Sequence, residues 1–231
     1  MLDLLQGLSR RLPSQCAICH RWPSHTLCED CVATLAQPVP RCARCALQVP
    51  EGVAVCGECL LHPAPLDACL CAVDYAFPWS DLVAELKFRG AVGLARPLAQ
   101  LLRAANGVDA ALEQADALIP LPLAPGRLRS RGYNQALELA RALEPAKVDP
   151  TLLLRTQDGP PQRGLPRHER LHAVAQAFAV EPLQAPRIRN RHLVLVDDVM
   201  TTGASLHAAA RTLRQAGATH ITALVLARTP P

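Results

Sequence analysis

The chain has 231 residues, half of them hydrophobic and only 3% aromatic, with a formal net charge of +4 at pH 7. That is enough for one medium domain and a small one, with a core of Leu, Val and Ala instead of rings. No apolar run approaches the ~18 residues of a membrane span, and MLDLLQGLSRRLPSQ is broken by an acid, a glycine and two arginines, unlike a secretory signal; the expectation is a cytoplasmic protein, not an integral membrane one.

A short amphipathic helix is predicted over residues 1–14, followed by a cysteine-rich module over 15–66. Eight of the ten cysteines fall as four Cys-x-x-Cys pairs: Cys16/Cys19, Cys28/Cys31, Cys42/Cys45 and Cys56/Cys59. Two such pairs supply the four thiolates of one tetrahedral zinc, so four pairs make two Zn(Cys)₄ sites with no ligand left over. A disulfide framework, an iron–sulfur cluster and thioredoxin-like redox motifs each fit the even, fourfold spacing less well. Sequential pairing closes short loops and needs no crossing; spacing alone also leaves an interleaved, cross-braced pairing open. Cys69 and Cys71 alternate in ACLCAVDYAF and are expected as buried thiols on one strand face.

LLHPAPLD reads as a Pro-rich connector, after which residues 67–231 carry a different pattern. ACLCAVDYAF is a predicted strand; SDLVAELKFRG, with Ser80 as N-cap, and VGLARPLAQLLRAA are predicted helices. ADALIPLPLAP is a buried strand running into a Pro-rich loop, NQALELARALE a helix, TLLLRT a strand, RHERLHAVAQAF an amphipathic helix, HLVLV a strand and ATHITALVLAR the strand that closes the sheet. Apolar strands alternating with helices predict an α/β fold, a mostly parallel sheet with helices on both faces. The charge excess lies in this part, 19 basic against 15 acidic residues, with five of each sign in residues 1–66.

LVLVDDVMTTGAS, residues 193–205, carries the chemistry. Thr202 or Ser205 can cap the helix that follows, which ends at Gly217 as its C′ glycine. Capping leaves the adjacent Asp197 and Asp198 unexplained, because two carboxylates at the carboxyl end of a buried strand repel each other unless they face solvent, a cation or hydroxyl donors. That end of an open α/β sheet is where ligands bind, and small residues at a helix N-terminus favour a phosphate. P-loop and Rossmann glycine patterns are both missing from the chain.

Strand, acidic pair and TTGAS together resemble the binding motif of type I phosphoribosyltransferases for phosphoribosyl pyrophosphate (PRPP). The resemblance implies that Asp197 and Asp198 take the ribose hydroxyls, directly or through Mg²⁺, and that Val199, Thr201, Thr202, Gly203, Ala204 and Ser205 form the loop around the 5′-phosphate. It sends the pyrophosphate to the loop after DALIPLPLAP, where Arg127, Arg129 and Arg131 are the nearest cations. The order of the double zinc ribbon, LKFRG, RSRGYNQA, LLLRTQDGPPQRGLPRHER and the acidic motif further resembles the ComF family, the competence-protein and GntX-like group. Lys87 and Arg89, then Arg131, Gly132, Asn134 and Gln135, then Arg155, Gln162 and Arg170, match positions typical of that family; Ala173 stands where the family commonly has asparagine.

Membership implies a PRPP-binding protein that assists uptake or processing of single-stranded DNA in natural transformation, with single-stranded DNA and other competence proteins as partners. Two other functions are compatible with the same residues. One is a working phosphoribosyltransferase, with Asp197 and Asp198 catalytic by electrostatics and positioning. The other is a zinc-dependent module that senses PRPP without turnover.

Overall fold

The structure, a computed structural model, describes residues 14–156 and 177–230. The helix expected over residues 1–14 lies outside them except for Ser14, as do most of the expected helix at 167–178 and the positions Gln162, Arg170 and Ala173. The chain divides into two compact units, the first ending at Gln37 and the second beginning at Pro38. The break thus falls between the two cysteine sets, and the boundary expected near residue 66 lies inside the larger unit.

The first unit is a cysteine knuckle. The turn after Cys16 and the start of helix α1 (Glu29–Leu35) hold its four thiols, and Cys28 caps α1 by accepting from the Cys31 N–H. Cys16, Cys28 and Cys31 are buried with Ile18 packed on them. Beyond Ile18 and the cysteines this unit has little buried apolar surface among the described residues, so an ion held by the thiols would be a main source of its order.

The larger unit begins with the second knuckle, which ends in the short helix α2 (Gly57–Leu61). It continues through β1 (Ala68–Asp74), α3 (Trp79–Phe88), a single 3₁₀ turn, α4 (Ala95–Arg103), α5 (Val108–Gln114) and β2 (Ala117–Pro120). Then come α6 (Pro125–Arg131), α7 (Gln135–Leu143), β3 (Leu153–Arg155), β4 (Phe178–Val180), β5 (His192–Met200), α8 (Ala204–Gln215) and β6 (His220–Arg228). Among the described residues, four strands form a wholly parallel sheet in the order β1-β6-β5-β2. The final strand, β6, is central, as its almost unbroken run of buried residues requires.

Strand alternation sorts the core into two faces. Cys69, Ile119, Leu195, Ala223 and Val225 share one core with Ala209 and Leu213 of α8 and with Cys42, Cys45 and Val49 of the second knuckle. The alternate residues Leu118, Val194, Val196 and Leu224 are equally buried on the face packed by α4 and α7. Helices therefore cover both faces, and on one of them the second knuckle completes the cover beside α8. Three tethers hold it there: Arg41 pairs with Asp74 at 2.7 Å, Arg44 donates to the Leu66 carbonyl at 2.8 Å, and the Cys69 N–H donates to the Ala43 carbonyl at 2.8 Å.

The structure departs from the sequence expectations in five places. α3 starts at Trp79 with Pro78 before it, so Ser80 lies inside its first turn and makes no cap. TLLLRT contributes β3 to a separate antiparallel pair with β4, placing Leu153 and Phe178 in the α8-side core; the last residue of the expected helix at 167–178 is thus a strand residue. The Pro-rich loop after β2 closes into α6, started by Pro125 at its first position and ended by Gly132 at φ 83°. β5 continues through both aspartates to Met200, paired with β6 up to Arg228. α8 is preceded by Gly203 at φ 78°, and neither Thr202 nor Ser205 is its N-cap; only a glycine takes that left-handed conformation without strain.

Candidate functional site

The carboxyl ends of β2 and β5 open into a cleft of about 630 Å³. Asp197, Asp198, Val199 and Ser205 line it from β5 and the α8 loop, Lys87 and Phe88 from the end of α3, and Arg127, Arg131 and Gln135 from α6 and α7. Arg155 of β3 also reaches it. Four basic side chains therefore surround two carboxylates, the composition suited to a ligand that carries both phosphates and a diol or bound cation.

Asp198 is 2% exposed, and its Oδ2 lies 2.9 Å from the Lys87 ammonium. The contact is a charge pair without hydrogen-bond alignment, so among the described residues this buried oxygen has a counter-ion but no aligned hydrogen bond. Its Oδ1 accepts from the Val199 N–H at 2.8 Å, as Asp197 Oδ1 accepts from the Asp198 N–H at 2.9 Å. Burial first, then the neighbouring Asp198 charge, holds the Asp197 carboxyl well above the ordinary 3.8, against the pull of the Asp198 N–H and Lys87. A hard cation or a sugar diol would relieve both the unmet acceptor and the repulsion.

The loop between β5 and α8 has an exposed side and a packed one. Thr201 and Thr202 are exposed, while Gly203 is buried and a Cβ there would stand 2.4 Å from Met200 Cε and 3.0 Å from His207 Nε2. Burial, aided by Arg211 and Arg228, lowers the His207 pKa and keeps the ring neutral beneath the loop. The backbone can thus approach a ligand on the open side while the other side is filled.

α6 and α7 supply the opposite wall. Asn134 caps α7 through the Ala136 N–H and donates to the Leu121 carbonyl at 3.1 Å, fixing the turn against the end of β2. Arg131 bonds the buried Gln135 and lies 5.3 Å over the Phe88 ring, and Tyr133 bonds the Leu86 carbonyl of α3. Of the residues singled out by sequence, Arg89 pairs with Glu85 on the exposed side of α3, Arg129 does not reach the cleft, and Gly132 serves as the left-handed end of α6. Tyr133 and the 74% exposed Phe88 carry no signal in the sequence, each lying inside a stretch, RGYNQ or LKFRG, whose recognisable positions are its charged and amide residues.

The eight cysteines form two clusters in sequence order, Cys16, Cys19, Cys28 and Cys31 in one and Cys42, Cys45, Cys56 and Cys59 in the other, with all sulfurs of a cluster within 4.8 Å. Cys19 and Cys28 are 3.7 Å apart, as are Cys45 and Cys56, close to the ~3.8 Å edge of a tetrahedron with Zn–S bonds of about 2.3 Å. At Cys16 burial is outweighed by N–H groups of Cys19, Cys28 and Ile18, bringing the thiol down to about 6, while burial and the neighbouring sulfurs push Cys31 up to about 12. A dication would let the four sulfurs shed their protons together, and the donor set and spacing fit structural zinc. Cys69 and Cys71 are buried, apart from both clusters, and raised by burial.

Residues 129–230 match the phosphoribosyl transferase domain model and residues 8–60 the double zinc ribbon domain model. The chain is 31% identical over 214 residues to DNA utilization protein YhgH of Escherichia coli O6:H1, covering 88% of this chain and 90% of the relative. The chain belongs to the ComF family. Within it, competence protein F of Haemophilus influenzae is 32% identical over 87% of this chain and 90% of its own. Competence protein ComFC of Bacillus subtilis is 33% identical over 43% and 39%. Among the described residues, no helix is long and apolar enough to cross a membrane.

Proposed function

We propose that this ComF protein binds PRPP in the β2/β5 cleft and serves, in the cytoplasm, in the uptake or processing of single-stranded DNA during natural transformation. The observation that carries the binding reading is Asp198, a buried carboxylate whose Oδ2 meets the Lys87 ammonium but, among the described residues, no aligned hydrogen bond, at the strand end that leads into the Thr201–Ser205 loop. Asp197 and Asp198 receive the ribose diol, Thr201 to Ser205 the 5′-phosphate, and Lys87, Arg127 and Arg131 the pyrophosphate. Mg²⁺ bound with PRPP would offset the charge that the two aspartates and the pyrophosphate bring together. Zinc in both cysteine clusters is structural. The DNA role is supported by the relatives named as a DNA utilization protein and as competence proteins.

Calorimetry with PRPP and Mg²⁺ on the wild type and on Asp197→Asn/Asp198→Asn tests the site. Binding is expected for the wild type and lost in the double variant; undiminished binding in a folded double variant would refute it. Deletion from a naturally competent host should lower transformation frequency, and parental frequency would remove the DNA role.

A further inference from the structure

The second cysteine knuckle and the phosphate loop are joined by one side chain. Arg228, the last residue of β6, donates through Nε to the Cys45 carbonyl at 2.9 Å and through Nη1 to the carbonyls of Met200 at 3.1 Å and Thr201 at 2.5 Å, with the Thr229 carbonyl at 2.7 Å. Cys45 is a ligand residue of the second cluster, and Thr201 opens the loop that leads to Gly203. A guanidinium is the one side chain whose rigid fork can face such separate acceptors at once.

A second connection runs parallel to it. The Cys69 N–H donates to the Ala43 carbonyl, between two cysteines of the knuckle, and its Sγ lies 3.6 Å from Met200 Sδ. The Met200 methyl in turn fills the space behind Gly203. From the cysteine cluster to the loop there are therefore two short contact chains, one polar and one of packed sulfurs, and they meet at Met200.

We propose that Arg228 is a positioning residue that transmits the order of the second metal cluster to the phosphate loop, so that PRPP affinity depends on metal in the second knuckle. Metal fixes the Cys45 turn, the Cys45 carbonyl fixes the guanidinium, and the guanidinium holds the Met200 and Thr201 carbonyls so that the loop's open side keeps its shape. Arg228 acts through the loop backbone and touches no ligand. Preorganised backbone is where such a link pays, since a loop ordered only on binding loses part of its affinity to the ordering. The proposal rests on the PRPP reading above for its effect on affinity, but not for its effect on the loop itself.

The test combines Arg228→Ala and Arg228→Lys in the full chain with zinc content, melting temperature, PRPP calorimetry and hydrogen exchange of residues 200–206 without ligand. Arg228→Ala is expected to keep both metals, exchange faster across the loop and bind PRPP about tenfold more weakly. Arg228→Lys, a single ammonium that cannot serve both sides, should fall between. Unchanged loop exchange in both variants overturns the proposal even if PRPP does not bind. If PRPP binds the wild type and both variants equally, the affinity claim falls while the PRPP reading stands. Should the alanine variant unfold, the lysine variant decides by the same two readouts. Selective metal loss supplies a further arm: Cys56→Ser should loosen the loop, and Cys16→Ser, in the knuckle that supplies none of the Arg228 acceptors, should not. Equal loop exchange in the two cysteine variants would also overturn it.

Discussion

Lys87 is one of two lysines in the chain, and its amphipathic helix would ordinarily hold it in solvent. Its ammonium instead neutralises a carboxylate that is almost wholly buried. Removing one member of such a pair leaves an uncompensated charge, typically at a cost of about 3–5 kcal/mol. Lys87→Met should therefore lower the melting temperature sharply, and adding Asp198→Asn should recover most of the loss; equal melting of wild type and Lys87→Met would dismiss the pair as a stability element. Asp197 has a distinct pH signature. Its folded pKa is raised above the unfolded one, so the folded state holds the proton more tightly, and its contribution to stability falls as pH rises from the ordinary 3.8 through the raised value. In ligand-free melts across that window, the wild type should lose stability relative to Asp197→Asn as pH increases. A constant difference would show that the two aspartates are not coupled through burial.

At the scale of elements, the turn from β5 into α8 combines a buried glycine, a left-handed φ of 78° and a Cβ position already occupied by Met200. Gly203→Ala adds backbone strain of about 1–3 kcal/mol and a clash with the packed side of the loop. It should weaken PRPP binding more than it lowers the melting temperature, because the loop can yield locally while the sheet stays intact; calorimetry alongside thermal melting separates the two. The acidic pair illustrates how much of an element was legible. Its chemistry, its place near the strand end and the glycine after it were readable in residues 193–205. The capping was not, since Thr202 and Ser205 carry the right side chains, and only the start of the helix at Ala204, which puts Gly203 at the N-cap, excludes them. The extension of β5 through Asp198 was hidden in the same way, because aspartates weaken a strand prediction and their pairing with β6 is a long-range fact.

For the whole molecule, the two cysteine knuckles differ in what they support. The second shares a core with the parallel sheet, whereas the first belongs to its own compact unit. Stripping metal from the second should destabilise the sheet unit itself, since that knuckle's buried Cys42, Ala46 and Val49 are part of the sheet's cover. In differential scanning calorimetry, Cys56→Ser is expected to shift the main transition down, and Cys16→Ser to leave it in place. A main transition indifferent to Cys56→Ser would mean that the second knuckle only rests on the sheet. Residues 38–66 are similar in composition to the first knuckle, so nothing local distinguishes them. What separates the two is the set of partners that Arg41, Arg44 and Ala43 find in β1 and its approach.

The sequence by itself determined the class of fold, the eight-thiol composition, the strand that carries two carboxylates and the small-residue turn behind it, because each follows from residue type and spacing over a few turns of chain. Only the tertiary structure decided that the thiols cluster in chain order, that Lys87 belongs to Asp198, that the arginines of α6 face the acids across a cleft, and that Arg228 joins the second knuckle to the loop. Those are contacts between segments tens to almost two hundred residues apart. Within the larger unit their geometry is set by the parallel order β1-β6-β5-β2 and the packing on its two faces, which no local pattern encodes.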